Sequence, residues 1–310
     1  MRASSCRQRG AAVLLALFIA TLATLIVSGL FYRQFVLLRT MENEQLAAQS
    51  RVLLRGALDW SRAILRSNAE NKSKSVMVDA LTEPWAQPLA DMRLDTLGES
   101  SALAAQASIS GQIEDAEGRF NLRNLVEHGE LLETEVEALR RLVDLLRLPP
   151  ATADLIATRM LESFPAAADT APATRPLPLL LPEDIIAIPG ISLDAAQKLA
   201  PYLVILEAST PVNVNTAPAE VLAARIENLD LARARALVAQ RERIGYFNSL
   251  GDFRNYAGNI NTGERDLAIK SSHFIVRGQV RLDRATTRME ALVKRDPNNI
   301  ARVLWQRELP

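Results

Sequence analysis

One cysteine, two histidines and an aromatic content of only 5% stand in a chain of 310 residues. The single thiol, Cys6, excludes a disulfide framework within the chain. It also precedes the long apolar run near the amino terminus, whereas a lipoprotein cysteine follows one. His128 and His273 leave too little material for a zinc site or a Cys/His dyad, and read instead as surface or boundary side chains. Net charge is missing as well. The 36 basic residues balance 36 acidic ones, so no global field draws in nucleic acid or an acidic partner, and charge has to be read locally. No nucleophile motif is present. Glu83 with Asp91 or Asp95 suggests a hydrolase pair, but separation along a chain fixes no distance in space. What remains is 48% apolar residues, the composition of an Ala/Leu-rich, largely helical protein.

The amino terminus carries the strongest signal. No charged residue occurs from Ala11 to Tyr32, about 22 residues, which as a helix reach roughly 33 Å and cross the hydrocarbon core of a bilayer. Arg2, Arg7 and Arg9 precede the run and hold that end in the cytoplasm, although Arg33 and Arg39 beyond it weaken the asymmetry. An ordinary secretory signal places small residues after the apolar region, and Ala20, Ala23, Ser28 and Gly29 supply that pattern loosely. The junction Gln8-Arg9-Gly10-Ala11-Ala12-Val13-Leu14-Leu15 argues for a different reading. A basic leader ending in glycine directly before the apolar run resembles the leader of type IV pilins and pseudopilins, which prepilin peptidase cuts after the glycine. Glycine offers no side chain to obstruct an extended backbone in a protease cleft. By that resemblance the mature chain starts at Ala11, with a methylated amine, and keeps its anchor. From 40 to 67 there is no proline, and apolar residues recur at helical spacing through Leu46, Val52, Leu53, Ala57, Trp60, Ile64 and Leu65, so the stem continues as an amphipathic helix.

Beyond the stem, Pro84 breaks the helical pattern. Ala107 to Asp115 alternates as a strand, with Ala116-Glu117-Gly118 as a turn and Arg119 to Leu122 as the return of a hairpin. Glu130 to Leu148 reads as helix, stopped by Pro149-Pro150. The alanine- and proline-rich stretch 166–182 reads as an extended surface loop. Two helix-hairpin-helix or sterile-alpha-motif-like units follow, one around Ile188-Pro189-Gly190-Ile191-Ser192 and one from Val212-Asn213-Val214-Asn215-Thr216-Ala217-Pro218 to Phe253, with Thr216 as a cap and Pro218 in the first turn. Strands return after Asp266. A lone hairpin is marginal, so the first strands pair with the last ones and the helical region is inserted between them. The expected fold is α+β. A long transmembrane and stem helix packs on an antiparallel sheet, with a large inserted all-α domain. The expected segments are leader 1–10, membrane helix 11–32, stem 33–67, a first pilin-like sheet segment 68–122, helical insertion 123–268 and a second sheet segment 269–310.

Leader, stem, Ile113-Glu114-Asp115-Ala116-Glu117-Gly118-Arg119-Phe120-Asn121-Leu122, the Val212 to Ala217 segment and the terminal strands, in this order, resemble the general secretion pathway protein K family. These are the K-type minor pseudopilins of type II secretion, and the similarity spans nearly the whole chain. It implies a non-enzymatic inner-membrane protein with one pass, its amino terminus cytoplasmic and its globular part periplasmic. It also implies I- and J-type minor pseudopilins as partners in a complex that caps and initiates the periplasmic pseudopilus. Other pseudopilins, the inner-membrane assembly platform and prepilin peptidase are the further partners. Most pilins and pseudopilins carry glutamate at mature position five, where it neutralises the amine of the subunit nearer the tip. Counted from Ala11, that position is Leu15, which fits a subunit with nothing above it; the plain alternative is one more lipid-facing leucine.

No cofactor is required by this reading. Calcium is the metal the resemblance allows, and Glu114, Asp115 and Glu117 with Asp296, Asn298 and Asn299 form oxygen-rich segments suited to it, although turn chemistry explains such residues equally and no EF-hand spacing is present. Two other classes compete. A membrane-tethered DNA-binding protein of a competence-like system is suggested by the hairpin units and by Lys198, Arg233, Arg235, Arg241 and Arg243. Against it, the second hairpin glycine is replaced by Ser192, and Asp194 repels phosphate. A secreted or anchored enzyme has no motif behind it.

Overall fold

The computed structural model describes residues 9–72, 78–97, 105–163, 175–258, 260 and 266–310. Most of the basic leader, including Cys6, and much of the 166–182 stretch lie outside the described residues. Helix α1 (Arg9–Lys72) is unbroken for 64 residues, about 96 Å at the usual rise. No proline occurs before Pro84 to interrupt it. Large apolar side chains from Val13 to Met41 are exposed. Further along, Ser50, Leu54, Leu58, Ser61, Leu65 and Ala69 sink at intervals of three or four residues into a sheet below. Each leucine buried there contributes about 1.5–3 kcal/mol.

In chain order the strands are β1 (Leu89–Arg93), β2 (Ala107–Asp115), β3 (Phe120–Asn121), β4 (Val126–Glu127), β5 (Glu130–Leu131), β6 (Leu203–Val204), β7 (Val212–Asn213), β8 (Leu267–Ala268), β9 (His273–Leu282), β10 (Ala285–Arg295) and β11 (Ala301–Leu309). The main sheet runs β1-β2-β9-β10-β11, antiparallel throughout. Trp85 meets Phe274 edge-on at 5.2 Å between centroids, under α1. Asp283, at φ 52°, supplies the left-handed residue that a tight β9–β10 turn requires. Gly111 faces Gly278, and a Cβ on it would come within 2.6 Å of the Arg277 carbonyl. Only a bare Cα lets β2 approach β9 so closely.

The expected hairpin of 107–122 does not form. β2 pairs with β9 along its length, while Phe120–Asn121 pairs in parallel with Leu203–Val204. The cause is local. The Asp115 side chain accepts from the Glu117 amide and closes a 3-10 turn over Ala116–Gly118, which leads the chain off the sheet. Gly118 takes no positive φ there. It serves close approach instead, since a Cβ on it would lie 2.8 Å from Thr216 Oγ1.

The helical body comprises α2 (Glu133–Leu145), α3 (Ala151–Ser163), α4 (Leu193–Leu199), α5 (Ala219–Arg225), α6 (Leu231–Ile244) and α7 (Leu250–Ala257). Ser192, Asp230 and Ser249 cap α4, α6 and α7 through bonds to amides three residues on. The segment before Gly190 is a 3-10 helix, Pro182–Ala187, so the first hairpin unit lacks a full leading helix. Pro218 is itself the N-cap residue of α5, and the Thr216 hydroxyl turns away to Asp115. Two apolar cores fill this body. A small third cluster, with Ala116, Val204, Leu206, Ile275 and Leu292, seats it on the sheet face opposite α1. Inside the body Arg225 is buried between Glu135 and Asp266, 2.9 Å from the latter.

Candidate functional site

Two places concentrate what is distinctive in this chain: the apolar start of α1, and the seam between sheet and helical body. Gly10 and Ala11 lie in the first turns of α1, Ala11 is exposed, and Leu15 is 60% exposed on an all-round apolar surface. Among the described residues this is the helix long and apolar enough to cross a membrane, with a mean hydropathy of 2.6 and none of that stretch buried. Packing has no hand in those side chains, an arrangement compatible with an apolar medium around them.

At the seam four segments distant in sequence converge: 78–80 after the stem, the end of β2 with its turn, 212–216, and 271–273 at the start of β9. Asp115 Oδ2 accepts from Asn213 Nδ2 at 2.9 Å, Thr216 Oγ1 at 2.6 Å and Ser271 Oγ at 2.5 Å. Its Oδ1 accepts from the Glu117 amide at 2.8 Å. Asp79 Oδ2 accepts from the Ser271 amide at 2.9 Å and from Arg295 at 2.6 Å. Glu117 Oε1 accepts from the Ser272 hydroxyl at 2.7 Å and lies 2.7 Å from His273 Nδ1. Burial, with the nearby charge of Glu117, pushes the Asp115 carboxyl up to about 7. Beside it Asn215 bonds both the amide and the carbonyl of Phe247, and buried Arg241 donates to the carbonyls of Val214 and Ala217. Burial lowers the Arg241 guanidinium to about 10. The two sequence blocks around Asp115 and Asn213 therefore hold each other. Nothing local in the sequence joins these blocks; the surplus of Asn, Ser and Thr beside acids is the one signal of it.

The candidate calcium residues are not brought into one oxygen cage. Glu114 is paired with Arg119 at 2.5 Å and Arg277 at 2.5 Å, Asp115 and Glu117 are committed as above, and Asp296 accepts from the amides of Asn298 and Ile300 in the β10–β11 turn. Glu117 and Asp296 do line one depression of about 500 Å³, but Lys270, Lys294 and Arg295 line it too. Among the described residues no group of three or more His, Cys, Asp or Glu is placed to hold a metal ion. His128 sits exposed at φ 53°, and His273 is buried at the seam instead of at a boundary. The basic residues suggested for DNA do not make a stripe: Arg241 is internal, Arg235 faces Glu220, Arg233 binds the Ala257 carbonyl and Lys198 pairs with Asp194. The Gly190 hairpin packs against Leu155, 3.1 Å from where a Cβ would stand.

Comparison with known proteins agrees with this architecture. Residues 118–208 and 212–268 match family models described as type II secretion system (T2SS), protein K. Type II secretion system protein K of Pseudomonas aeruginosa is 30% identical over 295 residues, covering 89% of this chain and 85% of the relative. Its counterpart in Pectobacterium carotovorum is 28% identical over 308 residues, covering 89% of each. A chain of the GspK-GspI-GspJ complex from the enterotoxigenic Escherichia coli Type 2 Secretion System superposes with a TM-score of 0.69 at 20% identity, over 87% of this chain and 99% of that one, a likeness of fold. With an apolar stem, an antiparallel sheet and a helical body in one continuous order matched along most of these relatives, the chain belongs to the type II secretion system protein K family and is a minor pseudopilin of that system.

Proposed function

We propose that this protein occupies the tip of the periplasmic pseudopilus, where with I- and J-type minor pseudopilins it starts assembly and supports export of folded proteins across the outer membrane. The observation that carries the reading is Leu15. Within a pseudopilus the amine of each subunit enters an apolar core, and a carboxylate at mature position five of the neighbour below neutralises it. A topmost subunit has no such amine to meet, and an unpaired carboxylate there carries a desolvation penalty. Leucine removes that penalty. The relative whose fold matches was solved in a complex with I and J chains, which supports the choice of partners. Arg2, Arg7 and Arg9 hold the leader in the cytoplasm, so α1 passes the inner membrane once and presents the globular part to the periplasm. Other pseudopilins, the assembly platform and prepilin peptidase are the remaining partners. The role is assembly without catalysis.

The amino terminus tests the pilin-class processing. Intact-mass analysis of the protein from membranes should find a chain starting at Ala11 with one methyl group on its amine. A start beyond Ser28 would mean a conventional secretory signal and would sink this reading.

A further inference from the structure

β11 is an outer strand of the main sheet, paired there with β10 alone. Alternate N–H and C=O groups of an edge strand point away from the sheet and lack a ladder partner. Charge or proline usually blunts such an edge, yet from Val303 to Gln306 this one has neither. The register slips there: Leu292 stands opposite Trp305 and Val293 opposite Val303, so Leu304 is an extra residue. A bulge can itself deter pairing, but this one leaves Trp305 to Leu309 in regular register. Its effect is to turn the later side chains over. Val303 packs with the core beneath α1, whereas Trp305 joins the cluster on the opposite face. Without the slip both would share one face.

Trp305 and Leu304 thereby wall a groove of about 620 Å³, with buried Leu206 and Leu292 below them. The facing wall is 178–181, which belongs to no helix or sheet. Leu180 and Leu304 are 68% and 38% exposed there. Arg159 holds that wall through the Leu177 carbonyl at 2.9 Å. Its Nε is buried without a partner, and it makes no ion pair among the described residues. The other charges are matched: Glu207 binds Lys294, and Arg307 is shared by Glu290 and Glu183. We propose that the groove takes an extended segment of another protein, which adds as a strand to β11. Every second side chain of that segment is apolar and enters between Trp305 and Leu180, and an acidic one lies towards Arg159. A helix bonds its own backbone and would leave the edge unpaired, whereas an extended chain satisfies the edge and, with period two, fills the groove. The groove lies on the sheet face away from α1, so the proposal does not rest on stem contacts or on the tip assignment.

The test uses the full chain in lipid nanodiscs, which keep detergent out of the groove. The probe is a fluorescein-labelled peptide of alternating leucine and threonine with one glutamate. Its anisotropy should show saturable binding, and hydrogen exchange should slow at the amides of 304–309 when it is added. Leu180→Asp and Leu304→Asp, both at exposed positions, should each weaken binding at least about tenfold, the worth of one buried leucine. Leu193→Asp, 60% exposed on α4, should leave it unchanged. A probe with glutamine for glutamate should bind about two- to fivefold more weakly. The same peptide N-methylated at alternate residues keeps its side chains but loses donors, and should not bind. Equal binding by the N-methylated peptide would mean apolar adhesion without a strand, and would overturn the proposal. So would unchanged exchange at 304–309, binding indifferent to both groove variants, or a glutamine probe that binds as well as the original. A chain that pairs with a second copy at this edge and leaves the probe unbound would overturn it too.

Discussion

Glu135→Ala should cost about 3–5 kcal/mol, the usual penalty for stripping one partner from a buried ion pair. Arg225 is 4% exposed and Glu135 9%, while the third member, Asp266, is 40% exposed and reaches Arg225 only from the rim. Removal of the Glu135 carboxylate leaves a guanidinium inside the core where α2 meets α5, with its buried counter-charge gone. Against a total stability on the order of 5–15 kcal/mol, that loss takes much of the margin of the helical body. Chemical denaturation of the full chain in micelles measures it. The paired change Glu135→Met with Arg225→Met should recover most of the stability, because apolar side chains of similar volume replace both charges. A loss under about 1 kcal/mol for the single variant would show that water reaches Arg225 and that the pair belongs to the surface class.

Gly10→Val should abolish function with the fold intact. A branched side chain obstructs the extended backbone that a processing protease needs, so the precursor keeps Arg2, Arg7 and Arg9 and never exposes the Ala11 amine. Immunoblots should show the slower precursor accumulating in membranes. Export should fall to the level of cells that lack the chain. Normal export by an unprocessed precursor would separate this protein from pilin-class assembly.

Some elements are plain in the sequence and others are hidden, for reasons that lie in the side chains. An uncharged run followed by spaced apolar residues describes α1 well, because a helix without proline needs only that pattern to form and to find its buried face. The terminal strands β9 and β10 follow from alternation in the same way. The expected hairpin at 107–122 fails because Gly118 resembles turn chemistry, when its role is to let Thr216 approach. At the seam, Asn213 and Asp115 lie 98 residues apart and Ser271 and Asp79 lie 192 apart. No local period encodes such pairs. Oxygen-rich residues there look like cation ligands for the same reason: the amides and hydroxyls that satisfy them are supplied from elsewhere in the chain. Likewise Arg241 reads as a surface charge in sequence, while its carbonyl partners, 24 and 27 residues away, hold it inside the fold.

The tip assignment is tested most directly by disulfide cross-linking of stem helices in assembled fibres, with single cysteines placed along the 41–60 stretch of this α1 and in its I- and J-type neighbours. Cysteine pairs should join this chain to those two neighbours, with one copy per fibre, at its end. Copies at regular intervals along the fibre, cross-linked to one another or to the main fibre subunit on both sides, would contradict the assignment.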